Sequence, residues 1–271
     1  MSNRQMLIAI VITCFMFVGV GNSFAGQLPM HTFELGPEIS YIEYKEPDIS
    51  MKEKGWMYGI VGSYTYHAKL MLKVEGRFSY GQVDYSSPIS GTIDNIDDYI
   101  LEFRGLGGYD FPVSQTSFLT LYTGIGYRYL NDDLSGKVSS TGGLGYERES
   151  NYIYSPIGVK FIADLKEGWS VGAMGEYDIF WWGRQTSHLS DVLSDLNDVK
   201  NRQTSGYGLR GSLEVQKKLK TVALAIEPFI RYWNIDDSKH ADVTFLGVKI
   251  GEALEPKNHS TEYGINLLVR F

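Results

Sequence analysis

The sequence predicts an all-β fold, a transmembrane up-and-down antiparallel β-barrel of about ten strands, and three features support this prediction. Ten segments alternate apolar and polar residues with the period of two that marks a β-strand. The chain is rich in residues used by a lipid-facing wall with aromatic belts, with 19 Tyr, 13 Phe, 5 Trp and 30 Gly. The connections between segments are in turn long and short. Together these features predict a single barrel domain over residues 26–271.

The first 25 residues have the organisation of a secretory signal peptide. A basic residue, Arg4, precedes an apolar run over residues 6–20, and Ser23 and Ala25 provide the small residues that signal peptidase requires. The run is short for a transmembrane helix, which needs about 20 apolar residues. We therefore expect cleavage after Ala25. Cys14 is the only cysteine, so the mature chain would have no thiol for a disulfide, a metal ligand or a nucleophile.

The predicted strands follow the alternation along the chain. In the second segment Trp56 and Tyr58 would face lipid, and in the third Leu72 and Val74 would face lipid while Lys73 faces the lumen. The ten segments comprise residues 32–44, 56–67, 69–85, 99–111, 118–130, 152–165, 169–184, 207–219, 222–236 and 259–271.

The same alternation places acids and bases inside the barrel in nearly equal numbers. The inward acids are Glu34, Glu38, Glu75, Glu102, Asp110, Asp164, Glu176, Asp178, Glu214, Glu227 and Glu262, and the inward bases are Lys73, Arg77, Arg104, Arg128, Lys160, Arg184, Arg210, Arg231 and Arg270. The interior of a barrel of about ten strands is only slightly wider than side chains can fill. Since buried charges must be paired, a cross-linked, non-conducting lumen is favoured over a pore.

The lengths of the connections predict the orientation of the barrel. Those after the second, fourth, sixth and eighth segments are short, and those after the odd segments are long. Short turns face the periplasm in transmembrane barrels of this class, and long loops face outward. An even number of strands then brings both termini to the periplasmic side.

The end of the chain carries a more specific pattern. Gly264 is followed by apolar residues at alternate positions, including Leu267 and Val269, and the final residue is Phe271. This resembles the C-terminal signal of Gram-negative outer-membrane β-barrels. The resemblance implies an outer-membrane location, contact with lipid and lipopolysaccharide, and recognition by the barrel assembly machinery through Phe271. The overall composition is porin-like.

The fourth long connection, residues 185–205, has apolar residues at helical spacing. Leu189, Val192 and Leu196 predict a short amphipathic helix, with Ser187 or Ser190 as its N-cap. A helix packed on the barrel rim is favoured over a receptor-binding element.

The arrangement as a whole resembles the omptins, ten-stranded outer-membrane proteases. The resemblance implies a carboxylate pair on one side of an extracellular cleft and an Asp-x-His dyad on the other, which together activate a water. His188 could match the histidine, but Thr186 stands where the family has Asp. The candidate carboxylates are Asp84, Asp97 and Asp98, and none of them reproduces the family's pair. The omptin topology therefore carries over better than its active site.

The sequence favours a non-enzymatic, monomeric cell-surface barrel whose loops act in adhesion or surface interaction. An omptin-like protease or other barrel hydrolase is the first alternative, and a narrow channel is the second. We expect no cofactor and no metal site, because the five histidines form no ligand pattern. For the acid pairs Asp132–Asp133 and Asp236–Asp237 near the outer rim, solvation is favoured over binding of a divalent cation. The net charge of −7 argues against nucleic acid as a partner.

Overall fold

The computed structural model describes residues 28–68 and 70–271, which fold as a closed antiparallel β-barrel. The strands within these residues are β1 His31–Glu46, β2 Met51–His67, β3 Met71–Ser87, β4 Gly91–Ser114, β5 Ser117–Asp133, β6 Glu147–Asp164, β7 Trp169–Ser187, β8 Val199–Gln203, β9 Gly206–Lys218, β10 Ala223–Ile235, β11 Ala241–Phe245, β12 Val248–Ala253 and β13 Asn258–Arg270. Ten of them close the wall in the order β1-β2-β3-β4-β5-β6-β7-β9-β10-β13. The prediction of a ten-stranded up-and-down barrel is confirmed. The expected signal peptide, residues 1–25, lies outside the described residues.

Pairing of the first and last strands completes the wall. Glu34 of β1 lies opposite Arg270 of β13, and Tyr41 lies opposite Tyr263. The backbone N–H of Phe33 donates to the carbonyl oxygen of Phe271 at 2.8 Å. Both ends of the described chain therefore lie at one end of the barrel, together with the short connections. This is called the terminal end below, and the opposite end is called the loop end.

The strands extend further toward the loop end than the alternation indicates. β2 begins at Met51, five residues before the predicted start at Trp56, and only a single 3₁₀ turn, Pro47–Ile49, separates it from β1. The outward residues of this extension, Lys52 and Lys54, are polar and exposed. Because the backbone ladder continues where the apolar alternation stops, the expectation of a long connection after the first strand is wrong.

The connection between β3 and β4 is short for the same reason. β3 runs to Ser87 and β4 begins at Gly91, whose φ of 80° is in the region that favours glycine. A Cβ at Gly91 would also lie 2.4 Å from the side chain of Ser140 in a neighbouring loop. The expected long connection after the third strand is therefore a tight turn.

An apolar outer band with aromatic borders surrounds the wall. The Tyr41 ring lies 5.4 Å from the Trp56 ring and 5.6 Å from the Tyr263 ring toward the loop end. Phe33 and Phe271 have ring centroids 6.4 Å apart at the terminal end. A tilted strand needs about 9–11 residues to cross a bilayer, so the band accounts for the membrane-spanning part. The strands continue beyond the aromatic border at the loop end and project past the apolar outer band.

Two local predictions are wrong. The chain after β7 forms only a 3₁₀ turn, Leu189–Asp191, and then returns as β8 beside β7, so the predicted amphipathic helix is absent from this described loop. Arg184 is exposed rather than inward, with its guanidinium 5.9 Å from the Trp182 ring. A β-bulge explains this reversal, because Ile153 pairs with Trp182 and Tyr154 pairs with Phe180, which leaves one extra residue in β7.

No helix within residues 28–68 and 70–271 is long and apolar enough to cross a membrane.

Candidate functional site

A belt of buried charged side chains crosses the middle of the lumen. It contains five acids and five arginines, contributed by eight strands of the wall. The members of this central belt are Glu38, Arg77, Glu102, Arg104, Arg128, Glu176, Asp178, Arg210, Arg231 and Glu262. The inward charges predicted for this level of the barrel are therefore brought together as expected.

Arg77 of β3 contacts three acids of the belt. Its Nη1 donates to Glu38 Oε1 of β1 at 3.1 Å and to Glu262 Oε2 of β13 at 2.8 Å. Its Nε donates to Glu102 Oε2 of β4 at 2.9 Å. Glu262 also lies 3.2 Å from Arg128 Nη2 of β5. These contacts reach across the lumen, because β5 and β13 are not neighbours in the wall.

Arg210 of β9 makes the corresponding contacts from the other side. Its Nη2 donates to Glu102 Oε1 at 2.6 Å and to the hydroxyl oxygen of Tyr154 at 2.9 Å, while its Nε donates to Asp178 Oδ2 at 2.8 Å. The Tyr154 hydroxyl in turn donates to Glu102 at 2.6 Å. Charge-assisted hydrogen bonds of this kind are the stronger ones, so the two sides of the wall are joined through Glu102.

Inward glycines provide the space that the tyrosines of the lumen occupy. A Cβ at Gly126 would lie 2.2 Å from the Tyr154 ring, and a Cβ at Gly158 would lie 2.2 Å from the Tyr122 ring. The Tyr122 hydroxyl donates to Glu176 at 2.7 Å, and Arg104 also contacts Glu176. The glycines of β5 and β6 thus allow each ring to lie against the neighbouring strand and reach the belt.

The lumen is filled with apolar and aromatic side chains on the loop side of the belt. One buried cluster consists of Ile42, Met57, Val83, Ile93, Ile96, Ile100, Leu130 and Leu134. A second consists of Tyr152, Tyr154, Phe180, Trp233 and Ile235. Such packing resembles a protein core rather than a water-filled channel.

The terminal half of the lumen is open by contrast. It contains a cavity of about 690 Å³ lined by paired charges such as Lys73 and Glu75 and by apolar side chains such as Leu106 and Met174. Arg104 and Arg210 of the belt also line it. The open space therefore reaches the belt from the terminal end.

A second set of charges, buried except for the partly exposed Arg148, lies at the loop end, beyond the apolar outer band. It comprises Glu46, Glu53, Asp98, Asp132, Arg148 and Glu255, which are called the loop-end cluster below. Arg148 Nη2 donates to Glu46 and to Glu255, at 2.8 Å in each case. Burial raises the pKa of Glu53 well above its usual value, and the neighbouring Asp132 adds to this effect.

Sequence reasoning missed most of the loop-end cluster. Asp132 was expected to be solvated, but it is only 5 % exposed, so that expectation is wrong. The signal was present, because Asp132 has the same parity in β5 as the lumen-facing Arg128, and Asp98 has the same parity in β4 as Glu102. The predicted fourth strand begins at residue 99 and the predicted fifth strand ends at residue 130, so the alternation was not extended to Asp98 and Asp132.

His188 lies on the outer side of the wall rather than in the lumen. Its Nδ1 is 3.2 Å from Asp198 Oδ2, and its Nε2 is 3.7 Å from Glu149 Oε2. Glu149 accepts a hydrogen bond from the Tyr129 hydroxyl at 2.8 Å. Tyr129 has the opposite parity to Arg128 in β5, which places this group of side chains on the outer face.

The acid that orients His188 comes from the returning part of the same loop. Thr186 is buried and supplies no carboxylate, as the sequence indicates, but Asp198 takes that role. Partial burial raises the pKa of Asp198, while hydrogen bonds from Ser190 and the nearby His188 outweigh it and hold this pKa below its usual value. A carboxylate therefore lies beside His188 although position 186 supplies none.

The other candidate catalytic residues do not converge on His188. Asp84 is exposed and accepts a hydrogen bond from the backbone of Asn95 at 3.0 Å. Asp97 points outward and accepts from the Tyr80 hydroxyl at 2.7 Å, whereas Asp98 is buried in the loop-end cluster. Among the described residues, the acids that contact His188 are Asp198 and Glu149, so these candidates do not assemble a water-activating pair around it.

A metal site is likewise not formed within the described part of the chain. No group of three or more His, Asp or Glu side chains there is arranged to hold a metal ion.

Comparison with known proteins gives the fold but no family. No protein-family model matches the sequence, and no curated protein matches it either. The crystal structure of the outer membrane protease OmpT from Escherichia coli is similar, with a TM-score of 0.61 and 8% sequence identity over 89% of this chain and 95% of that chain. This likeness shows that the chain has the fold of an outer-membrane β-barrel.

Two further solved structures align over most of their length but less closely. The outer membrane protein OprG from Pseudomonas aeruginosa aligns with a TM-score of 0.37 and 12% identity, over 92% of this chain and 99% of that chain. The transport unit of the autotransporter AIDA-I from Escherichia coli aligns with a TM-score of 0.42 and 11% identity, over 97% of each chain. Superpositions at this level carry no argument about function.

Proposed function

We propose that this chain is a non-enzymatic surface protein of the Gram-negative outer membrane, with a sealed lumen and loops that contact the surroundings. Its terminal end would face the periplasm and its loop end the exterior. The central belt carries the proposal, because paired charges from eight strands cross the lumen and apolar side chains pack beyond them. Surface exposure of the loops, contact with lipopolysaccharide, a monomeric state and assembly through Phe271 belong to the same proposal.

A rigid apolar hairpin at the loop end supports a role in surface contact. The tip of β11–β12 exposes Leu246, Val248 and Ile250, which are 68%, 66% and 62% exposed. The hairpin is fixed to the preceding loop, because the Leu246 N–H donates to the Asp195 carbonyl oxygen at 3.0 Å and the Asn197 side chain bonds to the backbone of Asp242 and Thr244 within the hairpin's first strand. A fixed apolar tip is suited to adhesion at an apolar surface.

Attachment of cells that produce the protein to polystyrene tests this role. The variant Leu246→Ser/Val248→Ser/Ile250→Ser should lower attachment, while attachment to glass stays unchanged. The matched control is Ile89→Ser, which alters another exposed loop residue, 76% exposed, on a different turn. Equal attachment to polystyrene by the triple variant and the wild type, at equal surface amounts, would contradict the proposed role.

An omptin-like hydrolase is the second candidate, and the His188–Asp198 contact at 3.2 Å together with the shared fold favours it. The outward position of His188 and the dispersal of Asp84, Asp97 and Asp98 argue against it. Incubation with peptides that contain dibasic sites, in the presence of lipopolysaccharide, separates the two candidates. Our proposal expects no turnover, and cleavage lost in His188→Ala would establish the hydrolase.

A further inference from the structure

The loop-end cluster contains far more acids than bases. Glu46, Glu53, Asp98, Asp132 and Glu255 are each at most 7% exposed. Among the described residues, Arg148 is the base within 4 Å of members of this set, namely Glu46, Glu53 and Glu255. From these contacts we infer that carboxyl groups sharing protons close the loop-end half of the lumen, and that this closure loosens as the pH rises. The inference goes beyond the proposed surface role, which requires no change of state.

The charges of the cluster do not balance if every carboxyl is ionised. Arg148 Nη2 is 2.8 Å from Glu46 and from Glu255, and its Nη1 is 3.9 Å from Glu53. Arg128 is the next base, but its nearest acid is Glu262 of the central belt, at 3.2 Å. Burying carboxylates without partners is strongly unfavourable. Some of these groups must therefore keep their protons at neutral pH.

Buried carboxyl oxygens that lack a hydrogen-bond donor indicate which side chains hold those protons. Both carboxyl oxygens of Asp132 are buried without a donor among the described residues, as are Asp98 Oδ1 and Glu53 Oε1. A protonated carboxyl supplies a donor that an ionised one lacks. A proton shared between Glu53 and Asp132 would satisfy oxygens on both side chains. We assign shared protons to these oxygens, and no group of three or more His, Asp or Glu side chains among the described residues is arranged to hold a metal ion.

The cluster joins opposite parts of the wall. Its acids lie on β1, β2, β4, β5 and the segment before β13, and Arg148 lies on β6. The apolar side chains that fill this half of the lumen lie around and beneath it, with Ile96 and Ile100 on either side of Asp98 along β4 and Leu130 below Asp132 on β5. Repulsion among newly ionised carboxylates would separate these strands and expose the apolar packing to water.

The remaining titratable groups around the cluster do not remove this imbalance. They are Tyr44, Tyr85, Tyr146, Tyr152, Arg128, Asp133 and Glu262. The Tyr44 hydroxyl oxygen lies 3.0 Å from Glu46 Oε1 and 3.1 Å from Glu255 Oε1, so its single proton serves one of these two acceptors at a time and adds no positive charge.

The direction of the pH dependence follows from burial. Burial raises the pKa of Asp132 to about 7, and the like-charged Asp98 adds to this shift. Burial likewise raises the pKa of Glu255 to about 7, and the like-charged Glu46 adds to that shift. A group whose folded-state pKa is raised stabilises the fold fully below its unfolded-state pKa, and this stabilisation is lost as the pH rises through the folded-state pKa. The loop end should therefore be tight at pH 5 and loosen near pH 7 and above.

Hydrogen exchange of the loop-end strands, corrected for the intrinsic pH dependence of exchange, tests the inference. In the folded wild type, backbone amides of residues 128–134 and 147–154 should lose protection between pH 5.5 and pH 8.5, by about tenfold for each pKa unit traversed. The variant Glu53→Gln/Asp132→Asn should keep its protection at both pH values. The control Asp97→Asn, an outward acid near the same level, should behave as the wild type.

Two results would overturn the inference. One is equal pH dependence in the wild type and in Glu53→Gln/Asp132→Asn, which would place the titration elsewhere. The other is recovery of protection at pH 8.5 when calcium chloride is added to the wild type, because a cation rather than shared protons would then close the cluster. Heat-modifiable gel mobility verifies that each variant is folded, and the single variants Glu53→Gln and Asp132→Asn replace the double variant if it does not fold.

Discussion

Replacing Arg77 by Met should destabilise the barrel, because this side chain holds three buried acids of the central belt. Glu38, Glu102 and Glu262 lie 2.8 to 3.1 Å from its nitrogens, and all four side chains are buried. Removing one partner of a buried ion pair costs about 3–5 kcal/mol. The loss of three independent pairs would cost more free energy than this range, but the three acids have other partners.

Those other partners reduce the expected cost. Glu102 keeps Arg210 at 2.6 Å, and Glu38 keeps Arg231 at 2.8 Å. Glu262 keeps Arg128 at 3.2 Å. We therefore expect Arg77→Met to lower the free energy of unfolding by about 3 kcal/mol, the lower limit for one broken buried pair.

Urea unfolding of the protein in phospholipid vesicles, followed by tryptophan fluorescence, measures this change. The matched control is Lys73→Met on the same strand, whose side chain is 23% exposed and pairs with Glu75 at 2.9 Å. A partly solvated pair of this kind contributes only about 0–1 kcal/mol. A loss below about 1 kcal/mol in Arg77→Met, equal to that of the control, would refute the view that the belt is a tightly paired network.

Three further predictions concern other parts of the molecule. Removing Phe271, whose backbone pairs with that of Phe33, should lower the amount of heat-modifiable protein in the outer membrane, whereas an unchanged amount would contradict a role in assembly. Tyr154→Phe removes a hydroxyl that donates to Glu102 and should lower the free energy of unfolding by about 1.5–3 kcal/mol in the same urea assay. A change within experimental error would count against a stabilising role of this hydrogen bond. His188→Ala should leave the folded amount unaltered and create or abolish no peptide cleavage, as measured with dibasic peptides.

The fold could be predicted from the sequence because its main signal is local. Alternation with a period of two determines which residues face lipid and which face the lumen, as Arg77 and Glu102 illustrate in adjacent strands. The lumen charges then had to pair, since the interior of so small a barrel is only slightly wider than side chains can fill. Only the parity along each strand is needed to place these charges in the lumen, and the structure confirms the placement for all ten members of the central belt.

The deviations have physical causes that act through space or through a single inserted residue. The bulge in β7 adds one residue before Arg184 and so turns it outward, and nothing local to Arg184 marks that insertion. The strands continue beyond the lipid-facing band where outward Lys52 and Lys54 remove the apolar signal. The loop-end cluster was missed for that reason.

The environment of His188 shows why the candidate site could not be derived from spacing. Its orienting acid, Asp198, lies ten residues further along the chain and reaches it only because the loop returns as β8 beside β7. The helical spacing of Leu189, Val192 and Leu196 was misleading for the same reason, because pairing of β8 with β7 overrides the local helical preference.

If the central belt and the packing beyond it seal the lumen, the folded protein should carry no ionic current. The most direct test is to record the current of the purified, folded protein in planar lipid bilayers at neutral pH. We expect no steady ohmic conductance above that of the bare bilayer. A reproducible open channel with a narrow distribution of conductances would contradict it.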